Sequence, residues 1–89
     1  MVKLEDLACS PVRLVGRKQV FKSLRAGQRL SVFLAADADP LFSESVHKMC
    51  ADHGISPDAH YTAYRLGKAC GIDVGVAAAA IPLKTDENL

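Results

Sequence analysis

The sequence has no long hydrophobic run. Its longest apolar stretch, Val74 to Ile81, is dominated by alanine and is too short to cross a bilayer. Met1-Val2-Lys3-Leu4-Glu5-Asp6 lacks the apolar centre of a secretory leader, so the expected location is the cytoplasm, away from membranes. Cysteine is scarce. Cys9, Cys50 and Cys70 are odd in number and widely spaced, which argues against a disulfide framework. Cys50 and Cys70 fall at apolar positions of expected helices and read as small buried hydrophobes in a reducing compartment. Glycine and proline, at 6 and 4, are not raised, so a long disordered segment is not expected. Apart from a short alanine run there is no low-complexity segment, and there are no repeats. The 89 residues have room for one domain, 1–89, with 49% hydrophobic and 24% charged residues, the make-up of an ordinary globular chain.

Net charge is nearly absent as well. Eleven Lys and Arg stand against ten Asp and Glu, giving +1, so bulk attraction for a polyanion is excluded as an argument. The distribution is uneven, however. Residues 11–30 hold Arg13, Arg17, Lys18, Lys22, Arg25 and Arg29 with no acid, while the remainder is net acidic. A one-sided basic patch is what a small nucleic-acid surface needs. A solvated basic helix face explains the same pattern, and charge alone favours it.

Signals for catalysis are lacking too. Gly67, Gly71 and Gly75 form neither a phosphate-binding loop nor a dinucleotide fingerprint. No Gly-x-Ser-x-Gly element is present. Asp37 and Asp39 are two apart, but local sequence supplies no partner base, and Asp39 is better explained as a helix cap. His47, Cys50 and His53 drift along one helix face without the pairings of a zinc site. The expectation is no enzyme, no catalytic residue, no metal, no cofactor and no small-molecule substrate.

What is present alternates between helix and strand. A short helix is expected over residues 3–8 and a strand over 12–15. Gly16 breaks that strand and opens a helix over 17–26, with Val20, Phe21 and Leu24 on one face. Leu30 to Ala36 is nearly continuous apolar sequence and suits a strand covered on both faces. Asp39-Pro40 is a carboxylate cap followed by proline at the first helical position, opening a helix to about His53. Further on come a short strand over 59–61, a helix over 63–70 capped by Thr62, and a strand over 76–83. The tail 84–89 is polar and expected to fray. The order implies an α/β fold: a three-layer α/β/α sandwich around a four-stranded mixed sheet. Ala77 to Ala80 are poor intrinsic strand formers, but small side chains let helices pack closely on both faces.

Three segments carry a family resemblance. Gly16-Arg17-Lys18-Gln19-Val20-Phe21-Lys22, Ala35-Ala36-Asp37-Ala38-Asp39-Pro40 and Leu66-Gly67-Lys68-Ala69-Cys70-Gly71 occur in that order over nearly the whole chain. Together they resemble the L-seven-Ae family of ribosomal proteins, above all its short bacterial members. The resemblance implies a monomeric, non-enzymatic protein that binds kink-turn RNA, a sharply bent internal loop with tandem sheared G·A pairs, on the ribosome or in a regulatory RNA. It places the RNA-binding residues at Gly16, Arg17, Lys18, Gln19 and Lys22, at Asp39, and at Leu66, Gly67 and Lys68. The loop Ile72-Asp73-Val74 would lie against extruded nucleotides.

The residues suit those roles. A helix N-terminus offers free N–H groups to phosphate, and Gly16 permits close approach. Lys18 and Lys22 are one turn apart, and Gln19 has both a donor and an acceptor for a base edge. Archaeal and eukaryotic members of the family that this chain resembles typically carry Asn-Glu where it has Lys18-Gln19, which adds charge and removes a carboxylate acceptor. Ala63 stands where many relatives carry a basic residue. The alternative function is a protein-interaction or assembly module of the same fold with a weakened RNA surface.

Overall fold

The structure, a computed structural model, describes residues 4–10 and 12–83. Lys3 and the tail 84–89, which the sequence expectations included, lie outside the described residues. In chain order the elements are α1 (Leu4–Cys9), β1 (Leu14–Val15), α2 (Arg17–Arg25), β2 (Leu30–Leu34), α3 (Pro40–Asp52), α4 (Ala63–Ala69) and β3 (Ala78–Pro82). The strands are ordered β1-β3-β2, and both neighbours run antiparallel to β3. Leu14 pairs with Ala80, and Val32 faces the same alanine from the other side. The alanine strand is therefore the centre of the sheet.

Alternation along that strand explains the layers. Ala78 and Ala80 face one core with Val20 and Leu24 of α2, Val32 and Leu34 of β2, and Val46 and Cys50 of α3. Ala79 faces the opposite core with Phe33, Leu7 of α1, and Leu66 and Cys70 at the α4 end. All three alanines are fully buried, as are the helix residues Leu7, Val20, Leu24, Val46 and Leu66. Methyl groups at the centre let both helix layers approach the sheet, which larger side chains would prevent. The three-layer α/β/α arrangement expected from sequence is present.

The expected fourth strand is not. Where residues 59–61 should have extended the sheet there is a single parallel bridge between Phe33 and Asp58, so among the described residues the sheet has three strands and is antiparallel, not mixed. The Asp58 N–H donates to the Val32 carbonyl and its carbonyl accepts from Leu34 N–H. Its carboxylate then accepts the His60 N–H at 3.1 Å and meets the His60 ring at 2.6 Å. That local side-chain turn bends the chain away from β2. Pro57 just before it has no N–H to offer a ladder.

Helix ends obey the capping signals closely. The Asp39 carboxylate accepts from the Leu41 and Phe42 N–H groups at the start of α3. Thr62 accepts from Arg65 N–H at the start of α4. Glycines at 27, 54 and 71, all with positive φ, stand just past the ends of α2, α3 and α4.

Burial separates the cysteines. Cys50 and Cys70 are buried and Cys9 is exposed. Burial pushes the Cys50 thiol up, and it does the same to Cys70, where the nearby Arg13 charge opposes it. A raised thiol has less thiolate at neutral pH and so reacts more slowly. Iodoacetamide at neutral pH is expected to add one label to the native protein, at Cys9, and three after denaturation. Three labels in the native protein, read by intact mass, would contradict the burial. No helix among the described residues is long and apolar enough to cross a membrane.

Candidate nucleic-acid interface

The site is organised around the start of α2. Gly16 ends β1 with its N–H donating to the Ala78 carbonyl at 3.0 Å, and turns the chain into the helix at φ 93°. A side chain there would be strained whatever the surrounding space. Unlike α3 and α4, α2 has no side-chain cap, and its first turn holds no acid to take the place of one. Its first N–H groups have no intrahelical acceptors, and Arg17 and Lys18 add charge to the positive end of the helix dipole. The helix is electrostatically incomplete at this end.

A cleft of about 390 Å³ opens beside it. Gly16 and Arg17 form one side, Asp39 and Phe42 of the α3 start another, and Ile72, Val74 and Gly75 of the loop after α4 a third. Five of the residues chosen from sequence thus meet around one opening: Gly16, Arg17, Asp39, Ile72 and Val74. Phe42 was not among them. Its ring lies under the Arg17 guanidinium, 5.7 Å from carbon to centroid, and packs against Phe21 at 5.9 Å. Its helical spacing in the sequence suggests core, and the alternative protein-interaction reading gives it a place on a partner surface, but neither makes it an RNA contact.

The remaining candidates have different placements. Lys18, Gln19 and Lys22 are exposed on α2. Gln19 and Lys22 border a neighbouring depression with Leu14 and Ser23. Lys68 is exposed and 3.9 Å from Asp73, a contact between solvated groups that contributes little. Leu66 is 0% exposed and Gly67 is buried, so neither offers a surface to a ligand.

Their role is to hold the loop. A Cβ added to Gly67 would collide with the Val74 carbonyl. The Ile72 N–H donates to the Gly67 carbonyl and the Val76 N–H to the Ala63 carbonyl, both at 3.0 Å. The loop thereby lies directly on the backbone of α4, with Val74 65% and Ile72 37% exposed.

The basic run of residues 11–30 is not one patch. Arg13 turns inward: Nη1 donates to the Leu7, Ala8 and Ser10 carbonyls at 3.2–3.3 Å, and Nη2 to the Cys70 carbonyl at 3.2 Å. It ties the ends of α1 and α4 together and is positioned to do so by β1. Arg29 borders a separate hollow with His53 and Gly54, at the C-terminal ends of α2 and α3, away from the cleft. Arg17, Lys18 and Lys22 are what remains near the α2 start.

Asp37 and Asp39 do not form a pair for acid–base work. Asp37 accepts the Ala63 N–H at 2.9 Å while Asp39 caps α3, so each carboxylate holds a different helix start. His47 and His53 are exposed where Cys50 is buried beneath α3, so the three do not converge.

The fold and sequence have known counterparts. A profile of the ribosomal protein L7Ae/L30e/S12e/Gadd45 family matches residues 6–88. An RNA-binding protein of Bacillus pumilus is 40% identical over 70 residues, covering 79% of this chain and 85% of the relative. An RNA-binding protein of Caldanaerobacter subterraneus subsp. tengcongensis is 38% identical over 72 residues, covering 81% and 88%. Among solved structures, the 15.5 kD RNA-binding protein of Giardia lamblia superposes with a TM-score of 0.77 at 27% identity, over 93% of this chain and 69% of that one. A Bacillus halodurans protein described as of unknown function gives 0.78 at 25% identity, over 90% and 80%.

Proposed function

The chain belongs to the ribosomal protein L7Ae/L30e/S12e/Gadd45 family, as a short bacterial member, and from that premise we propose that it binds RNA without catalysis and stabilises the bent form of a kink-turn. The observation that supports this most is the uncapped, cation-loaded start of α2 beside a cleft walled by an exposed apolar loop. An RNA phosphate completes the helix end that the protein leaves open. Lys18 and Lys22 flank it, and Gln19 meets a base edge.

The cleft suits an extruded nucleotide. Ile72 and Val74 offer apolar area, and Phe42 with Arg17 offers a cation-faced ring. The free oxygen of Asp39, whose Oδ2 caps α3, is available to a base amine. Unstacked bases of this kind are the usual target of sequence-specific RNA recognition. Binding the bent state preferentially shifts the RNA's own equilibrium toward it. The cellular setting we propose is a cytoplasmic ribonucleoprotein, with the ribosome as a candidate host.

The test is a salt-titrated binding assay with a kink-turn RNA and a control whose sheared G·A pairs are replaced by Watson–Crick pairs. Strong preference for the first is expected; equal binding to both would leave only an electrostatic surface. Lys22→Ala is expected to weaken binding at every salt concentration and to lower the logarithmic salt slope by about one. An unchanged slope would remove Lys22 from the interface.

A further inference from the structure

We propose that the outer face of α4 is a second RNA surface, which takes an unpaired strand leaving the bent RNA. For that strand's point of entry the inference rests on the function just proposed. A groove of about 510 Å³ runs between α1 and α4. Its apolar wall is Leu4 and Ala8; its other wall carries Tyr61, Tyr64, Arg65 and Lys68. Tyr64 is 66% exposed, and the Lys68 ammonium sits 5.6 Å from its ring centroid. Tyr61 is anchored against core Phe33, with ring centroids 6.3 Å apart, and the Arg65 guanidinium lies 5.3 Å from its centroid.

The exposed Tyr64 ring offers a platform on which a base of a single strand stacks, and Arg65 and Lys68, each beside a tyrosine, offer charges to its phosphates. Glu5 lines the α1 side. Its charge repels phosphate, so the phosphates keep to the α4 side, by Arg65 and Lys68, and the ribose hydroxyls face α1. An acidic peptide would satisfy the cations but leave the rings unused, and an apolar partner would bury both cations unpaired. The groove also ends near the loop that walls the cleft. Lys68 lies 3.9 Å from Asp73 of the loop that walls the cleft, so a strand passing that loop meets Lys68 first.

The test compares a blunt kink-turn RNA with the same RNA carrying a tail of about six adenylates at each end in turn. Wild-type protein is expected to bind at least one tailed RNA about tenfold more tightly than the blunt one. Tyr64→Ala should remove that gain and leave blunt-RNA affinity unchanged, because the side chain is exposed and outside the cleft. Tyr64→Phe should keep the gain, and Arg65→Ala should shrink it together with its salt dependence. Tails that add nothing for the wild type, or a gain that survives Tyr64→Ala, would overturn the proposal. Blunt RNA that binds while tails add nothing leaves the kink-turn reading intact. Tailed RNA that binds through Tyr64 while blunt RNA does not would sink the kink-turn reading and keep this surface.

Discussion

Gly67→Ala is expected to lower both the stability of the fold and its affinity for kink-turn RNA. The added methyl group would enter the space of the Val74 carbonyl oxygen and come within 3.1 Å of the carbonyl carbon. Both are backbone atoms, so no rotamer change relieves the collision. The loop is held at both ends by hydrogen bonds to α4, at the Gly67 and Ala63 carbonyls, and must break one of them to move. Overpacking of this kind costs about 1–3 kcal/mol, offset by up to about 1 kcal/mol of better helix propensity. A net loss of about 1–2 kcal/mol lowers the melting temperature by roughly 5–15 °C in a domain of this size. RNA affinity should fall further than stability, by about tenfold or more, as Ile72 and Val74 leave the cleft wall. Thermal melts and binding isotherms, taken where the variant is fully folded, separate the two effects. A variant as stable as the wild type that binds equally well would show that the loop does not depend on this contact.

Arg13→Ala is expected to cost about 2–3 kcal/mol, since one charged group serves four carbonyl oxygens at two helix ends. Arg13→Lys should recover only a minor part. An ammonium is a point donor and cannot span the distance between α1 and α4 as the guanidinium fork does. Urea unfolding should show a lower midpoint with an unchanged slope, which is the mark of a stability change without a change in compactness. If Arg13→Lys matches the wild type, one hydrogen bond suffices and the bridge between the helices is not what stabilises this corner. RNA binding by the folded Arg13→Ala variant should keep its salt slope, because the guanidinium is turned away from solvent toward those carbonyls.

These two residues show where sequence reasoning stopped. The helix starts were legible because Asp39-Pro40 and Thr62 announce themselves through local hydrogen bonding. The buried β2 strand was legible from its apolar run, and the alanine strand from the glycine before it and the proline that ends it. The missing fourth strand was not. Asp58 can either stay in a ladder or close a local turn onto His60, and the pattern of residues 59–61 does not decide between the two. Arg13 and Arg17 are indistinguishable as cations in the basic run. Only the tertiary approach of the α4 end to β1 turns the first inward. Leu66 and Gly67 belong to a motif that marks the site, yet they act beneath its surface. Motif membership reports that a position matters to the site; it does not separate touching a ligand from supporting what touches it.

The position of β3 has a consequence for how the molecule comes into being. β1 and β2 come early in the sequence but are not hydrogen-bonded to each other; each pairs only with β3. Both cores also close on its alanines, one through Ala78 and Ala80 and the other through Ala79. No earlier portion of the described chain contains a paired sheet or a finished core. All of α3, α4 and their connections must be searched through before the centre is filled, and contacts of such long separation slow the search. Pairing of the sheet and closure of both cores are therefore expected to wait for β3 and to occur together. The start of α2 takes its position with the same pairing, because the Gly16 N–H bonds to the Ala78 carbonyl, while its first helical N–H groups stay open.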